Sequence, residues 1–556
     1  MTMMVISFIL MSDSLIAGAF IGENASAGVT LVLPIFAASG FFGSLFSLGI
    51  PIMFDRAMGN FNKEQAHHIF GFGLLASVSV GIALFLFALF LGDIYIRMNN
   101  PSHEVLEFAR GYLYWIKFSV LVLPVQMLLS EMVFHDGDET ISTIASIVQG
   151  LGNVAASIIL ANVIGIQGIG LASFLFNIVS MMILGIHFLR KTNSLRFNIF
   201  FSSELILPVF RFGIIDASTY LYLAILAVVF NAFVPAHFGA EYLILVSALV
   251  LIKELHLVFD GIGEALSPIV SIYLGEECYA GVRSTYRLAK RSAIIEGIIA
   301  TILLLLFAPI IPVVLHVSDP IVFETVTLGV RLFSLSSAFV SLLYLLTSYF
   351  LLRGKILLGT IACGLRDVFL YVPLGVIGGL LFGMMGMLVG LSIAPILSYL
   401  IALTIVTLRY GKDNSPLMLK ELEDKIPSKV FGLVVEPNDV VRLTKDVKDF
   451  LKGSNIEDVT IGRVEFLLEE FYMLVHEKND GKPVQSECAI ILRPEGVQIV
   501  ERDNGILFDI AEDENTITSL TSYVVSLYIE KLNVEKKYLK TMSFNRSSFL
   551  VKHPTD

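Results

Sequence analysis

The chain has 556 residues, of which 55% are hydrophobic and only 16% are charged, and its formal net charge is -11. A soluble protein carries about a quarter charged residues, so this composition excludes an entirely soluble chain. The acidic balance, with no basic tract, argues against nucleic acid as a partner. Long apolar segments end near Gly411, and charged residues are denser from Lys412 onward. We therefore expect a membrane domain followed by a soluble domain.

Twelve apolar segments of the membrane domain are candidates for spanning helices, which need about 20 residues. Within lipid only helices and closed barrels satisfy the backbone, and unbroken runs of Leu, Ile, Phe and Val favour helices. The first segment has no charged region and no small-residue cleavage site, so we interpret it as a span and not as a signal peptide. The predicted spans are residues 3–20, 28–54, 68–92, 106–133, 140–163, 166–189, 207–235, 241–274, 290–316, 323–352, 356–380 and 384–408.

A basic, polar stretch from Arg190 to Glu204 separates two sets of six spans. IPIMFDRAMGN, before this stretch, matches SPIVSIYLGEE after it, and VQGLGNV matches ACGLRDV at nearly the same separation. Repeated matches in one order indicate an internal duplication. The predicted regions are an N-terminal six-helix lobe at 1–189, a cytoplasmic linker at 190–206, a C-terminal six-helix lobe at 207–411 and a cytoplasmic domain at 412–556.

Lysine and arginine are concentrated in alternate loops of the membrane domain. Because cytoplasmic loops carry this excess, both termini are predicted to be cytoplasmic. An even number of spans in each half makes the two repeats parallel, and substrate sites in such proteins lie between the repeats near mid-membrane. The basic residues that set this orientation are Arg56, Lys63, Arg190, Lys191, Arg196, Arg283, Arg287, Lys290, Arg291, Arg353, Lys355, Arg409 and Lys412.

Asp13 is the clearest charged residue at membrane depth in the first half. A charged side chain at the centre of the hydrocarbon costs about 2.5 to 3.5 kcal/mol, so such groups are expected to face protein or a water-filled cavity. Two interpretations remain for Asp13. It either has a role inside the lobe or lies close enough to the external face to be solvated.

Four ionisable residues follow one another at helical spacing in the eighth span, namely Lys253, His256, Asp260 and Glu264. On one helix they share a stripe. This stripe either binds substrate directly or forms an internally paired, wetted face towards a cavity. Asp367, which follows Arg366 in the eleventh span, is a further cavity candidate and is expected to find a partner on another helix.

These features favour a carrier over a channel. The duplication supplies two lobes that can rock, and the scattered acidic groups supply positions for a coupling cation. No phosphate-binding loop or Walker-type pattern is present to drive transport with nucleotide. The cysteines, Cys278, Cys363 and Cys488, are isolated, which indicates neither a disulfide framework nor a metal site.

Three stretches, MSDSLIAGAFIGENASAGVTLVLP, GIPIMFDRAMGNFNKEQAHH and GNVAASIILANVIGIQGIGLAS, resemble the multidrug and toxic compound extrusion (MATE) family of secondary transporters. The resemblance covers about residues 1 to 410, in order. It implies a V-shaped bundle of two lobes in the plasma membrane, which exports drugs or other organic compounds in exchange for Na⁺ or H⁺. It also implies that Asp13 couples the cation. The family commonly has a second acidic residue four positions after Asn153, where this chain has Ser157.

The soluble domain has the pattern of an α+β fold. VTIGRVEFLLEEFYMLVHEK indicates a helix, and ECAIILRP and VQIVERD alternate as strands joined by Glu495 and Gly496. A last helix is predicted at residues 519–532 and a last strand at residues 547–552. The fold class is therefore an all-α polytopic membrane protein of twelve helices in two parallel six-helix repeats, with a small α+β cytoplasmic domain.

The order of these elements resembles the histidine-kinase-type ATP-binding fold, and more closely its anti-sigma-factor branch. In that family an Asp in a DxG turn after a strand accepts a hydrogen bond from the adenine amino group, and the match here is Asp503, Asn504 and Gly505. The alternative interpretation of Asn-Gly is a β-hairpin turn, for which it is the strongest short signal. The family's helical Glu matches Glu469 or Glu470.

Two departures from that family predict a degenerate domain that does not hydrolyse ATP. The family's magnesium-binding Asn is replaced by Met473 or Leu474, and an apolar side chain cannot coordinate a cation that requires oxygen ligands. The glycine-rich phosphate lid is replaced by SLTSYVVSLYIEK. We expect a regulatory role, either sensing ATP or binding a cytoplasmic regulatory protein.

The sequence thus predicts an exporter with no catalytic residues and no required cofactor. Its partners are a small organic substrate and the lipid bilayer, with Na⁺ or H⁺ as the coupling ion and ATP as a possible regulatory ligand. Two other classes remain open: a membrane-anchored ATP-binding signalling protein with ATPase or kinase activity, and a flippase for a lipid-linked substrate. A basic central cavity would indicate the flippase.

Overall fold

The computed structural model describes residues 12–99, 101–190, 193–239, 242–315, 317, 319–506, 508, 520–532, 534–540 and 544–554. This part of the chain is mostly helical, and its C-terminal region contains a sheet. The start of the predicted first span, residues 3–11, lies outside the described residues. We call the helices before residue 190 lobe 1 and those between residues 203 and 410 lobe 2.

Lobe 1 begins several of its helices with side-chain caps. Asn62 accepts a hydrogen bond from the backbone N–H of Gln65, and Ser102 and Asp138 cap later helices in the same way. The elements are α1 (12–20), α2 (Glu23–Gly59), α3 (Lys63–Phe90), α4 (Gly92–Met98), α5 (His103–His135), α6 (Glu139–Ile147), a π-helical turn (Val148–Gly152), α7 (Asn153–Ile164), α8 (Ile166–Gly185) and a 3₁₀ turn (Ile186–Leu189).

Lobe 2 contains more interruptions than its apolar sequence indicates. A 3₁₀ turn divides the predicted eighth span, and the predicted span 356–380 is divided where α16 ends at Asp367. The break at Gly383, with φ of 67°, coincides with the predicted boundary between the last two spans. The elements are α9 (Ser203–His237), α10 (Leu243–Leu255), the 3₁₀ turn (His256–Phe259), α11 (Asp260–Glu276), α12 (Tyr279–Phe307), α13 (Ile310–Val314), α14 (Pro320–Ser334), α15 (Ser337–Leu352), α16 (Ile356–Asp367) and α17 (Tyr371–Tyr410).

Six helical stretches among the described residues are long and apolar enough to cross a membrane, or seven if α14 and α15, which meet at 50°, form one bent span. One of the six, Ile356–Tyr410, contains two of the predicted spans. The apolar helical character of the membrane domain is therefore confirmed, while the number of twelve spanning helices stays a prediction.

The predicted linker packs against lobe 1 as an extended segment at residues 193–202. The Ser194 carbonyl lies 3.1 Å from His67 Nε2, and the Phe200 ring stacks on His68 at 4.2 Å between centroids. Arg190 Nη1 lies 3.2 Å from Asp138 Oδ2. The segment is therefore held by lobe 1 through both aromatic and polar contacts.

The two lobes touch where α2 and α11 end. A Cβ atom on Gly59 would lie 2.5 Å from the Ile272 carbonyl oxygen, and one on Gly275 would lie 2.5 Å from the Arg56 carbonyl oxygen. Because these distances involve backbone atoms, only glycine permits the crossing. The crossing brings together the two matched segments of the sequence, which contain Gly59 and Gly275.

The C-terminal domain is built on a five-stranded antiparallel sheet with strand order β1-β2-β3-β5-β4. The predicted helix, hairpin, last helix and last strand are confirmed as α20, β2 with β3, α21 and β5. The elements are α18 (Lys420–Lys425), β1 (Ser428–Val434), α19 (Pro437–Gly453), α20 (Asp458–Lys478), β2 (Gln485–Arg493), β3 (Gly496–Asp503), α21 (Leu520–Lys531), β4 (Glu535–Lys540) and β5 (Asn545–Lys552).

Four elements of this domain, α18, β1, α19 and β4, are not among those predicted from the sequence. The edge strand β4 has the sequence EKKYLK. Its charged residues obscure the apolar alternation by which a strand is predicted, but they protect an exposed sheet edge from pairing with another chain. Helix α19 could have been predicted from its sequence, because Val440, Leu443 and Val447 recur at helical spacing and are all buried.

Both faces of the sheet are covered. One face, with Ile499 and Phe549, packs in the apolar core under α19 and α20. The other face, with Ala489, Ile491 and Val500, joins the buried cluster of lobe 2. The domain is therefore packed directly against the helical bundle.

We predict that Gly275→Ala destabilises the chain by about 1 to 3 kcal/mol, because its methyl group overpacks the crossing of α2 and α11. The measurement is the Tm of the purified chain in detergent. Gly261→Ala, in the same helix but with no atom within 4 Å of its Cβ, is the control and should stabilise the helix by up to about 1 kcal/mol. Equal Tm changes in the two variants would show that the crossing does not limit packing.

Candidate functional site

A cavity lies between the lobes, lined by α2 and α5 of lobe 1 and by α9, α11, α15 and α16 of lobe 2. Lobe 1 contributes Glu131 and His135, and lobe 2 contributes Asp260, Glu264 and Arg366. The cavity therefore contains charges of both signs. The remaining lining residues are Ser47, Leu48, Ile52, Ile215, Thr219, Gly263, Ser267, Thr347, Ser348, Leu351, Leu352 and Cys363.

The predicted stripe of the eighth span is not continuous, because the 3₁₀ turn at His256–Phe259 changes the helical spacing. Asp260 and Glu264, after the turn, line the cavity between the lobes. Lys253 and His256, before and at the turn, line a smaller cavity inside lobe 2 together with Asp367. The structure thus divides the five predicted cavity residues into two groups.

The group that lines the smaller cavity is an internally paired charge cluster. Lys253 Nζ lies 3.5 Å from Asp367 Oδ1 and 4.1 Å from the centre of the Tyr371 ring. Arg366 Nη2 lies 2.8 Å from Asp367 Oδ2. His256 Nε2 lies 3.1 Å from Ser337 Oγ. The expected cross-helix partner of Asp367 is therefore Lys253.

Asp13 is only 1% exposed, so the interpretation that it is solvated at the external face is wrong. The Tyr112 hydroxyl donates to Asp13 Oδ2 at 2.7 Å, and the Ser173 hydroxyl donates to the same oxygen at 3.0 Å. Asn153 Nδ2 donates to Ser173 Oγ at 2.9 Å. Among the described residues, Asp13 Oδ1, Asn153 Oδ1 and Ser157 Oγ have no hydrogen-bond partner. These buried oxygens could ligate a small cation or accept a proton.

Sequence reasoning missed the lobe 1 side of the cavity. Glu131 and His135 are four residues apart on α5 and both line the cavity. Because this spacing places two ionisable side chains on one face of a helix, as in the eighth span, the sequence could have predicted them. His135 Nδ1 lies 2.5 Å from Asp55 Oδ2, which fixes the imidazole against α2. The partners of Asp13, Tyr112 and Ser173, had no such signal because they lie far from it in sequence.

The predicted nucleotide-binding residues lie where β3 ends. Asp503 Oδ1 accepts hydrogen bonds from the Gly505 N–H at 2.7 Å and from Asn545 Nδ2 at 3.0 Å. Asn479 Oδ1 accepts from the Ile506 N–H at 2.8 Å. The Asp-Asn-Gly turn is thus supported by two amides, Asn479 and Asn545, that sequence reasoning did not identify.

This turn is not a β-hairpin. Strand β3 already pairs with β2 on one side and with β5 on the other, and neither pairing is closed by Asn504 and Gly505. The hairpin interpretation of Asn-Gly is therefore wrong. Asn504 instead folds back, and its Oδ1 accepts from the Gln485 N–H at 2.9 Å.

Glu501 and Asp503 lie two residues apart and therefore on the same, helix-facing side of β3. Ser486 Oγ donates to Glu501 Oε1 at 2.9 Å, while Glu501 Oε2 and Asp503 Oδ2 have no hydrogen-bond partner among the described residues. Burial, reinforced by Asp503, raises the pKa of Glu501 well above its usual value, and burial also raises the pKa of Asp503. The two carboxyl groups therefore interact with each other.

Glu470 lies half-buried on α20, and among the described residues it makes no hydrogen bond or ion pair. One helical turn later, Leu474 is fully buried and Met473 is 38% exposed. An oxygen ligand is thus missing at both positions predicted for the magnesium ligand. In the described part of the chain, no group of three or more His, Cys, Asp or Glu side chains could hold a metal ion.

Two helical lobes around a cavity, with a buried carboxylate inside the first lobe, are typical of a membrane carrier. The family model MatE matches residues 1–159. The multidrug export protein MepA of Staphylococcus saprophyticus subsp. saprophyticus is 22% identical over 409 residues, which cover 70% of this chain and 87% of MepA. MepA of Staphylococcus aureus is 23% identical over 416 residues, which cover 70% of this chain and 88% of that protein.

Solved structures have the same fold. An outward-facing MATE family transporter of the MOP superfamily aligns with a TM-score of 0.67 and 17% identity, over 76% of this chain and 95% of that one. A MOP superfamily transporter from Pyrococcus furiosus aligns with a TM-score of 0.63 and 17% identity, over 73% of this chain and 93% of that one. The first part of the chain thus matches the MatE family model, and the helical bundle has the fold of MATE transporters.

We predict that Glu501→Gln removes a pH-dependent loss of stability in the sheet domain. Because the folded state binds this proton more tightly than the unfolded chain, the free energy of unfolding falls as pH rises above about 4.3 and through the folded-state pKa. The loss is at most about 1.4 kcal/mol per pH unit for one proton. The glutamine has no proton to lose.

Hydrogen–deuterium exchange of β2 and β3 in the full chain, compared at equal pH between pH 5 and 8, measures this effect. The variant should be better protected than the wild type, increasingly so at high pH. Glu469→Gln, on the exposed face of α20, is the control and should behave as the wild type. Equal protection of Glu501→Gln and the wild type across this range would contradict the prediction.

Proposed function

We propose that this chain is a secondary active transporter that exports drugs or other organic compounds by antiport with Na⁺ or H⁺, under the control of its C-terminal domain. The observation that supports coupling best is the environment of Asp13. It is buried, and its partners among the described residues are the Tyr112 and Ser173 hydroxyls and no cationic side chain. A carboxylate in such a place needs a proton or a bound cation for charge balance.

The charge cluster of lobe 2 is a weaker candidate for coupling. Asp367 is already within ion-pair distance of Lys253 and Arg366, so its charge is balanced by the protein itself. Asp13 lacks this compensation. Binding and release of the coupling ion at Asp13 would therefore change the net charge of lobe 1, and this change supplies a reason for the lobe to move.

The substrate would occupy the cavity between the lobes, where a rocking motion exposes it to either side. Three carboxyl side chains, Glu131, Asp260 and Glu264, line it together with Arg366. This mixture suits an organic compound that carries a cationic group. It does not suit the phosphate of a lipid-linked substrate, which requires a predominantly basic cavity.

The side of the bundle that carries the α2–α11 crossing and the C-terminal domain would face the cytoplasm. The helix ends and loops on this side hold Arg56, Lys63, Arg283, Arg353 and Lys355, and such an excess marks the cytoplasmic side. Both termini would then lie in the cytoplasm, and the helical bundle would span the plasma membrane. The domain would regulate transport by binding ATP or a cytoplasmic protein, and Asp503 would be the residue that accepts a hydrogen bond from the adenine amino group.

We predict that Asp13→Asn lowers ion-driven export at least tenfold while the protein still folds, because the amide cannot bind and release a proton or balance a cation. Export from proteoliposomes is measured with a Na⁺ gradient at constant pH and with a pH gradient without Na⁺, and the gradient that drives the wild type identifies the ion. Asp93→Asn, which changes an exposed carboxylate paired with Arg97 and Arg110, should keep wild-type export. Unchanged export and ion dependence in Asp13→Asn would exclude this role.

We predict that ATP binds the full chain without magnesium, because Met473 and Leu474 replace the oxygen ligand, and that Asp503→Asn weakens binding at least tenfold. Equilibrium binding of labelled ATP, with magnesium and with chelator, measures both effects. Asp449→Asn, on the exposed face of α19, is the control. If the wild type binds no ATP up to millimolar concentration, nucleotide sensing is wrong and the domain serves a protein partner.

A further inference from the structure

The C-terminal domain covers the place where the two lobes meet. Arg546, on β5, is 2% exposed and donates from Nη1 to the Met58 carbonyl and from Nη2 to the Gly59 carbonyl, both at 2.7 Å. These carbonyls belong to the last turn of α2, and the Met58 carbonyl also accepts from the Phe61 N–H at 3.0 Å. The Arg546 guanidinium also lies 4.1 Å from the centre of the Phe61 ring.

The same guanidinium forms an ion pair with Glu276, at the end of α11. The Glu276 side chain is fully buried, and Arg502 on β3 is its second cationic partner. One arginine therefore binds the end of α2 in lobe 1 and the end of α11 in lobe 2 at once. These are the helix ends that touch at Gly59 and Gly275.

The rest of the domain is attached mainly to lobe 2. Arg493 Nη2 donates to the Glu276 carbonyl at 2.8 Å, and the Tyr273 hydroxyl donates to Glu487 Oε1 at 2.6 Å. Arg283 Nε donates to Glu423 Oε1 at 2.8 Å. The domain also follows α17 directly in the chain, so it is tied to lobe 2 both covalently and by contact.

Contact with lobe 1 depends on few residues. Besides Arg546, Leu539 of β4 is fully buried within the apolar cluster of lobe 1, beside residues of α2 and α3. The β4–β5 edge of the sheet thus reaches from lobe 2 across the crossing to lobe 1. A movement that separates α2 from α11 must break these contacts.

We propose that the β4–β5 edge is a latch that holds the cytoplasmic ends of the two lobes together, with Arg546 as its central residue. The inference rests on the proposed function, in that transport requires the lobes to separate at this side. Separation would leave either Arg546 or its acceptors unpaired in a buried place, and removing one partner of such a buried pair is strongly unfavourable. The latch therefore favours the state that is closed towards the cytoplasm.

The latch is also connected to the candidate nucleotide site. Asp503 pairs with Asn545 across β3 and β5, and Arg502 pairs with Arg546 one position away. Because successive side chains alternate between faces, Asp503 and Asn545 face the helices while Arg502 and Arg546 face the lobes. A ligand that engages Asp503 thus acts on the strands that carry both latch arginines.

The test measures the distance between the lobes in the full chain. Cysteines introduced at Lys63 and Arg287, which are exposed near the starts of α3 and α12, carry spin labels for pulsed electron paramagnetic resonance. Native Cys278, Cys363 and Cys488 are buried and should resist labelling. In the wild type without substrate, we expect the short distance of the closed state to dominate.

Arg546→Ala should raise the ratio of long to short distances at least tenfold, and Glu276→Gln should shift it in the same direction. Arg546→Lys should give an intermediate ratio, because one ammonium cannot donate in the fixed fork that spans both helix ends. Arg442→Ala, on the exposed face of α19, should leave the distribution unchanged. Hydrogen exchange of β5 identifies any variant whose sheet has unfolded.

If folded Arg546→Ala and Glu276→Gln both keep the wild-type distribution, the latch is wrong. An equal opening by Arg442→Ala would also overturn it, since the effect would not depend on the contact. The connection to the nucleotide site requires that ATP change the ratio in the wild type but not in Arg546→Ala. A bound ATP with no effect on the distances overturns that connection, and a failure of ion coupling at Asp13 leaves the distance result intact.

Discussion

The contact between the backbones of α2 and α11 is the feature on which the arrangement of this protein depends. With Gly59 Cα and Gly275 Cα too close for side chains, the carbonyl ends of two helices meet at one point. Helix C-termini carry partial negative charge, and Glu276 adds a full one. The resulting acidic spot attracts Arg502 and Arg546 and so determines where the sheet domain docks.

The buried ionisable groups of the bundle fall into two kinds. Most are paired within the protein: Lys253 and Arg366 with Asp367, and His187 between Asp136 and Asp138. Such pairs remove the cost of burial and hold helices in register. Asp13 is different, because only hydroxyl groups meet its carboxylate among the described residues. The pairing pattern, more than burial, therefore distinguishes a group available for ion coupling from a structural one.

The sheet domain gains its position from having two buried faces. A free two-layer domain would expose the face opposite its helices, but here Ala489, Ile491 and Val500 are buried against lobe 2. The alternation of side chains then gives β3 and β5 two roles, with amide and carboxyl groups on the helix side and arginines on the lobe side. The candidate nucleotide site and the proposed latch therefore lie on opposite faces of the same sheet.

Local patterns in the sequence predict the division into membrane and soluble parts, the apolar helices and the matched halves. They also predict the hairpin of β2 and β3 and the candidates Asp13 and Asp503. These features depend on local hydrophobicity, periodicity and turn chemistry, which a linear pattern records. Which charges pair is visible only in the tertiary structure. Glu131 and His135 line the same cavity as Asp260 and Glu264. Asn479 and Asn545 support the turn at Asp503. The contacts of Arg546 with both lobes are likewise visible only in the folded chain, because its partners are hundreds of positions away in the sequence. Contacts of that kind follow from how helices and sheet pack, and no local pattern encodes them.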